Sequence, residues 1–159
     1  MRLLKGVEAN VTDSENGLDL EDDLLELLDF VAVGFHPGAG FGEEDRDRNT
    51  AALLRAISHP LTDMVTHPGN GNYPVDRDAV VAAAVEHDVI LEINDFTFVG
   101  PGSRVGFADL EREFARGGAA AGAKVAVCSD AHFHLHIGRV DSALAAALEA
   151  EQRGVLSGG

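Results

Sequence analysis

Residues 124 to 136 read Lys124-Val-Ala-Val-Cys-Ser-Asp-Ala-His-Phe-His-Leu-His136. The stretch begins with an apolar run, Val125 to Cys128, which is typical of a buried parallel strand. The run stops at Ser129 and Asp130, and His132 follows shortly after. Because ligands of α/β proteins bind at the carboxyl ends of parallel strands, this pattern predicts metal-binding or acid–base groups on the rim of a sheet.

Four earlier apolar runs end in the same way. They span residues 2–11, 29–35, 63–66 and 89–93, and segments with helical periodicity separate them. This alternation predicts an α/β fold of about five parallel strands, joined by right-handed crossovers, with the helices outside the sheet. In chain order, the polar residues at the strand ends are Glu8, His36, His67, Asn94 with Asp95, and Asp130 with His132. All these ends should lie at one edge, where barrel-like curvature would bring the side chains together.

Helices are predicted over residues 18–28, 49–58, 76–86, 107–121 and 141–152. Asp76 has the side chain of an N-cap for the third of these, and Gly122 closes the fourth. Residues 154–159 read as a loose tail. No repeat or domain boundary interrupts the sequence, so residues 1–159 are expected to form a single domain.

The composition is that of a globular domain with a sizeable core, since apolar residues make up 45% of the chain. No apolar run reaches membrane-spanning length and no signal-peptide pattern follows Met1, which predicts a soluble cytoplasmic protein without a membrane partner. The single Cys128 rules out an internal disulfide. Its place in an apolar strand favours a core residue over a nucleophile.

The formal net charge of −15 is the strongest oddity of the composition. An acidic surface repels phosphate backbones, so nucleic acid is not an expected partner. Repulsion among the acids also destabilises the folded chain at low salt, and salt screens it. One hypothesis is therefore adaptation to a high-salt cytoplasm, and the other is an ordinary acidic protein.

The residue types at the strand ends point to metal chemistry. Imidazole nitrogens and carboxylate oxygens, without cysteine, are typical ligands of zinc, manganese or iron. The candidate ligands are Glu8, His36, His67, Asp130 and His132. The alternative is that each histidine is a loop residue with a satisfied hydrogen bond. Two His-Pro-Gly steps and one Ser-Asp-x-His step, each after an apolar run, favour the ligand interpretation.

The remaining histidines are assigned differently. His59 and His87 lie in or beside predicted helices and are assigned to the surface. His134 and His136 share a face with His132 if that segment is extended. They are neighbours of the predicted site and not assigned ligands.

Other catalytic schemes fit less well. The sequence has no Gly-x-Ser-x-Gly elbow and no Walker-type glycine loop. Arg104 lies in a glycine-rich loop, residues 99–106, where it could bind a phosphate through a bidentate contact or be a solvated charge.

Six segments carry a family resemblance: Lys5-Gly-Val-Glu-Ala-Asn10, Asp29-Phe-Val-Ala-Val-Gly-Phe-His36, Thr66-His-Pro-Gly-Asn70, Leu91-Glu-Ile-Asn94, Gly102-Ser-Arg104 and Cys128-Ser-Asp-Ala-His132. In this order they resemble the PHP (polymerase and histidinol phosphatase) superfamily, and above all its stand-alone phosphatases. The resemblance covers nearly the whole chain. It implies a distorted, seven-stranded, TIM-like (βα) barrel with a trinuclear zinc or manganese site, which hydrolyses phosphate esters of phosphorylated small molecules.

The resemblance also implies a role for each candidate ligand. Glu8 is similar to a carboxylate that two metals share, and His36 and His67 to further ligands of one of them. Asp130 is similar to a ligand of the other metal, and His132 to a ligand of the third.

Two further residues, Asn94 and Arg104, are similar to residues that line the family's substrate pocket. With them as the catalytic residues, the implied reaction is attack of metal-activated water on phosphorus. Arg104 and the cations would stabilise the charge that builds on the phosphoryl oxygens.

The sequence departs from the family's pattern at its start. The family's first strand carries a His-x-His motif, and that element lies before the position of Met1. The chain thus resembles a PHP domain without its first two βα units. Three explanations follow: the chain is a fragment, it pairs with a second copy or another chain that covers the exposed sheet edge, or His134 and His136 partly replace the missing His-x-His.

The leading interpretation is a metal-dependent phosphoesterase, although an incomplete metal cluster would leave this chain inactive alone. A second interpretation is a non-catalytic PHP remnant that acts as an accessory metal-binding module, like PHP domains attached to DNA polymerases. A third is a metal hydrolase of the amidohydrolase type, which also uses histidines on a barrel rim.

Overall fold

The computed structural model describes residues 2–39, 41, 45–99 and 107–157, with the backbone alone for residues 154–157. Among these residues, five parallel strands form one sheet in the order in which the chain makes them. They are β1 (Gly6–Asn10), β2 (Phe30–Gly34), β3 (Met64–Val65), β4 (Ile90–Asn94) and β5 (Val125–Cys128). The predicted α/β fold is confirmed, and helices around a parallel sheet are compatible with part of a (βα) barrel.

The helices in the described part of the chain are α1 (Asp22–Leu25), α2 (Arg46–Ile57), α3 (Arg77–Glu86), α4 (Phe96–Val99), α5 (Ala108–Ala121) and α6 (Asp141–Ser157). The predicted caps are confirmed. The Asp76 side chain accepts a hydrogen bond from the backbone N–H of Ala79, and Gly122 ends α5 with a left-handed φ of 72°. A carboxylate satisfies a free N–H group at a helix start, and glycine has no Cβ to clash at a helix end.

Three helices differ from the predicted bounds by more than one residue, and α4 was not predicted. One of the three, α2, begins at Arg46 and not at residue 49. Within residues 18–28 only the single turn of α1 forms, because Leu18 is buried in an antiparallel bridge with Val11. At the other end of the chain, α6 continues to Ser157, so the backbone of residues 154–157 is helical.

Side chains alternate between the two faces of the sheet, and the faces differ in chemistry. One face packs against the helices, and Val33, Val65 and Leu91 are fully buried there. The opposite face carries Glu8 of β1 and Glu92 of β4. Because neighbouring residues in a strand point to opposite sides, these carboxylates stand next to core residues without entering the core.

The two edges of the described sheet are β1 and β5, each of which pairs with a neighbouring strand on one side. Cover of an edge by a second chain or copy stays a prediction. No helix in the described part of the chain has the length and apolar character needed to cross a membrane.

Candidate metal centre

The carboxyl ends of β1, β2 and β3 bring Glu8, His36 and His67 together. Both histidines point Nε2 at the same oxygen of Glu8, Oε1, at 2.8 Å for His36 and 2.9 Å for His67. The two Nε2 atoms lie 3.2 Å apart. The side chain of His67 is 1% exposed and that of Glu8 is 40% exposed, so the cluster is open to solvent on the Glu8 side.

Asn10 and Asp19 fix the ring of His36. The side-chain N–H of Asn10 donates to Asp19 Oδ2, and because a carboxylate only accepts, the amide oxygen of Asn10 faces the other way. That oxygen lies 2.7 Å from Nδ1 of His36 and accepts its proton. In the neutral ring, Nε2 therefore presents a lone pair to the cluster. Metal-ligating histidines are commonly held in this way.

His67 reaches the cluster through an unusual backbone conformation. Its φ is +31°, a region in which residues with a Cβ are uncommon. The ring passes close to Gly34 of β2, where a Cβ would collide with Cγ2 of Thr66 and lie 3.3 Å from Cε1 of His67. Glycine at this position leaves room for the imidazole.

Glu8 is the charged member of the cluster. Burial acts to raise the pKa of its carboxyl. Where the rings of His36 and His67 carry a proton on Nε2 in the metal-free protein, the hydrogen bonds that they donate and the charges of the rings lower that pKa well below the ordinary value of 4.5. Hydrogen bonds to the charged form of an acid have this effect. The carboxylate is therefore ionised throughout the neutral pH range.

This set of donor atoms fits a divalent cation. With the His36 proton on Nδ1 and Glu8 ionised, the lone pairs of Nε2 and Oε1 face each other at 2.8 Å. Only a proton or a cation between them makes that arrangement favourable. One donor atom from each of Glu8, His36 and His67 lies within 4.8 Å of the other two, so the three residues could hold one ion. Two imidazoles and a carboxylate are a ligand set of catalytic zinc sites, which keep a further position open.

Asp130 and His132 follow β5 on the same rim but lie outside this three-residue cluster. Asp130 has a φ of +46°, and its Oδ2 accepts a hydrogen bond of 3.1 Å from Asn94 Nδ2. The His132 ring turns back on Asp130, with Nδ1 2.9 Å from the backbone oxygen. In the described part of the chain no ligand cluster includes these two residues. Their roles as metal ligands stay predictions.

Asn94 is fully buried, and its side-chain amide forms hydrogen bonds within the protein. Nδ2 donates to Glu92 at 3.2 Å and to Asp130 at 3.1 Å, while Oδ1 accepts from the backbone N–H of Thr97 at 3.1 Å. These contacts make Asn94 a brace between β4 and the loop after β5, and its role toward a substrate stays a prediction. Arg104, the other predicted catalytic residue, lies outside the described residues.

The structure corrects two expectations about the other histidines. Residues His134–His136 form one turn of 3-10 helix, so this segment is not extended and the period of two does not apply to it. His87 is exposed, as predicted. The surface assignment of His59 is wrong, because its side chain is 7% exposed and its Nε2 lies 3.1 Å from Asp22.

Two features of the site were missed in the sequence: the Asn10–Asp19 pair and the buried carboxylate of Glu92.

Burial and the neighbouring charge of Glu92 raise the pKa of the Cys128 thiol to about 12. A thiol that stays protonated is a poor nucleophile, in line with that part of the expectation. Cys128 is half-buried, however, and is not the core residue that was predicted.

The chain is similar to bacterial proteins named probable phosphatases. It is 40% identical over 144 residues to one from a Thermoanaerobacter species, a match that covers 91% of this chain and 58% of that protein. It is 41% identical over 144 residues to one from Caldanaerobacter subterraneus, covering 91% and 56%. The match to one from Escherichia fergusonii is 37% over 142 residues, covering 89% and 57%. The chain thus spans little more than half the length of these curated relatives. No protein-family model matches it.

Proposed function

We propose that this chain is part of a metal-dependent phosphoesterase of the PHP type, which uses water to hydrolyse a phosphorylated small molecule. The observation that carries the proposal is the convergence of His36 Nε2 and His67 Nε2 on Glu8 Oε1, at 2.8 Å and 2.9 Å. The relatives named probable phosphatases support the same class of reaction. Since the chain covers 58% of the first of them, the activity and the substrate class are proposals.

A divalent cation held by Glu8, His36 and His67 would supply Lewis acidity, which would lower the pKa of a water molecule and offset charge on a phosphoryl oxygen. The residues of the chain would hold the cation in place. Glu8 contributes the negative charge, His36 is held in one tautomer by Asn10, and His67 is held by burial. Zinc suits two nitrogens and one oxygen, and manganese and iron are the alternatives.

The loop after β5 supplies two further residues of the proposed site, and the sequence between α4 and α5 supplies a third. Asp130 and His132 are proposed as further metal ligands, because both follow β5 on the rim that carries Glu8. Arg104 is proposed to stabilise the negative charge that builds on the phosphoryl oxygens during hydrolysis.

Hydrolysis of p-nitrophenyl phosphate by the protein, loaded in turn with zinc, manganese and iron, tests this function. We expect turnover that requires one of these cations and that is abolished by His67→Ala, because the variant lacks a buried ligand. His87→Ala removes an exposed imidazole and should keep full activity. Turnover by His67→Ala at the wild-type rate would rule out the proposed site.

A second candidate is a metal-binding module without catalytic activity. The observation that favours it is that the described residues form a single ligand cluster, of three residues, from which His132 is turned away. Metal bound with high affinity, but no hydrolysis of any phosphate ester with any of the three cations, would support this candidate over the enzyme.

A further inference from the structure

Glu92 is a carboxylate with 3% exposure on the face of the sheet that carries the candidate metal centre. Burying a carboxylate is costly unless hydrogen bonds compensate for the lost water. Here three donors converge on one oxygen, Oε2: Thr66 Oγ1 at 2.7 Å, the backbone N–H of His67 at 2.5 Å, and Asn94 Nδ2 at 3.2 Å. Hydrogen bonds to an ionised acceptor are stronger than bonds between neutral groups. This oxygen therefore ties the end of β3 firmly to β4.

The same carboxylate is linked to the loop after β5 through Asn94. Asn94 gives one N–H to Glu92 and the other to Asp130, at 3.1 Å. Glu92 thus lies at the centre of a network that links the ends of β3 and β4 to the loop after β5.

The shortest of the bonds to Oε2 holds His67 at the point where its backbone is strained. A φ of +31° is sparsely populated for a residue with a Cβ, and it persists only where surrounding contacts enforce it. At this residue the imidazole leaves the strand and places Nε2 at 2.9 Å from Glu8. A small rotation of the His67 backbone would carry Nε2 away from Glu8 and His36.

We propose that Glu92 is a positioning residue that sets the metal affinity of the Glu8–His36–His67 cluster by holding the His67 backbone, without itself ligating the metal. The inference rests on the proposed function, in which His67 is a metal ligand. It predicts that a substitution at Glu92 lowers the affinity for metal more than it lowers the stability of the fold.

Glu92→Gln tests this, because it keeps the shape of the side chain and removes the charge that strengthens the three bonds. Zinc affinity is measured by competition with a chelator, and the melting temperature is measured on the metal-free protein. We expect zinc to bind about 10- to 100-fold more weakly, the range seen when partners of metal-ligating histidines are changed. Thr66→Val, which removes one donor to Oε2, should weaken zinc binding in the same direction but less, and it serves if Glu92→Gln does not fold.

Asp95→Asn is the matched control. Asp95 is a buried carboxylate that follows β4, and its Oδ1 accepts from the backbone N–H groups of Ser142 and Ala143 at 2.8 Å and 2.9 Å, so it holds the start of α6 and not His67. We expect this variant to lower the melting temperature and to leave zinc affinity unchanged.

The outcomes separate the inference from the proposed function. If the wild-type protein binds zinc and the Glu92 and Thr66 variants bind it equally well, the positioning role is wrong and the metal centre stands. The positioning role is also wrong if Asp95→Asn weakens zinc binding as much as Glu92→Gln does, since the effect would then come from general destabilisation. A wild-type protein without metal affinity overturns both proposals.

Discussion

Asp19 acts on the candidate metal centre through a chain of two hydrogen bonds. As an acceptor it turns the Asn10 amide so that the amide oxygen receives the Nδ1 proton of His36. The position of one proton thus depends on an exposed residue that is not a candidate ligand. At the scale of single residues, the chemistry of the site is set by which atoms can donate and which can only accept.

Asp19→Asn tests this chain of hydrogen bonds. The new side chain can donate as well as accept, so the Asn10 amide is free to turn and present its N–H groups to His36. The ring would then carry its proton on Nε2, where it competes with a metal ion. We expect zinc binding to weaken about 10-fold in a chelator competition assay. Asp23→Asn, an exposed acid on α1, should bind zinc like the wild type, and equal affinities of all three proteins would contradict the prediction.

Glu8 should make the stability of the metal-free protein depend on pH. Because the pKa of its carboxyl is lowered in the folded state, its contribution to stability is fully present above the unfolded pKa and is lost as pH falls toward the folded pKa. Urea unfolding of the wild type and of Glu8→Gln should therefore differ most above about pH 5 and converge as the pH is lowered below about 4. A difference that stays constant across this range would show that the Glu8 pKa is not lowered.

At the scale of elements, the strand ends could be predicted because two local signals coincide there. An apolar run marks each buried strand, and a change to histidine, asparagine or acid marks its end on the rim, as at His67 after β3. The caps at Asp76 and Gly122 were predictable for the same reason, since each depends on the chemistry of one residue.

What the sequence does not reveal depends on contacts between distant segments. Leu18 fits a helix by its spacing, but its bridge with Val11 removes it from one. In the sequence, Glu92 looks like an ordinary polar residue of an alternating strand. Its role as the acceptor for the His67 backbone N–H depends on the folded turn at His67. The Asn10–Asp19 pair likewise requires the turn between them.

Gly34→Ala tests the close approach of β2 and β3. The added Cβ would collide with Thr66 and press on the His67 ring. We expect a loss of about 1–3 kcal/mol in the free energy of unfolding, together with weaker zinc binding. In Gly117→Ala, a Cβ on α5 would meet Val81 at an ordinary 3.5 Å. That control should be about 0.5–1 kcal/mol more stable than the wild type, since alanine favours a helix over glycine. Chemical denaturation measures the free energy of unfolding of both variants. A Gly34→Ala variant as stable as the wild type would show that β2 and β3 can accommodate the added Cβ.

At the scale of the whole molecule, the net charge of −15 is the dominant feature. Repulsion among the acids is screened over about 10 Å at 0.1 M salt and over about 3 Å at 1 M. We predict that the melting temperature rises by several degrees between these two concentrations of potassium chloride. An unchanged or falling melting temperature would contradict a high-salt adaptation and favour an ordinary acidic protein.

The proposed function depends on whether Glu8, His36 and His67 together hold a divalent cation. The most direct measurement is the metal content per chain, by mass spectrometry of protein loaded with zinc and then dialysed. We predict at least about one zinc ion in the wild type and in His87→Ala, and little in His36→Ala or His67→Ala. A wild-type chain that retains no zinc, manganese or iron, or a His67→Ala variant that retains as much as the wild type, would contradict the existence of this metal centre.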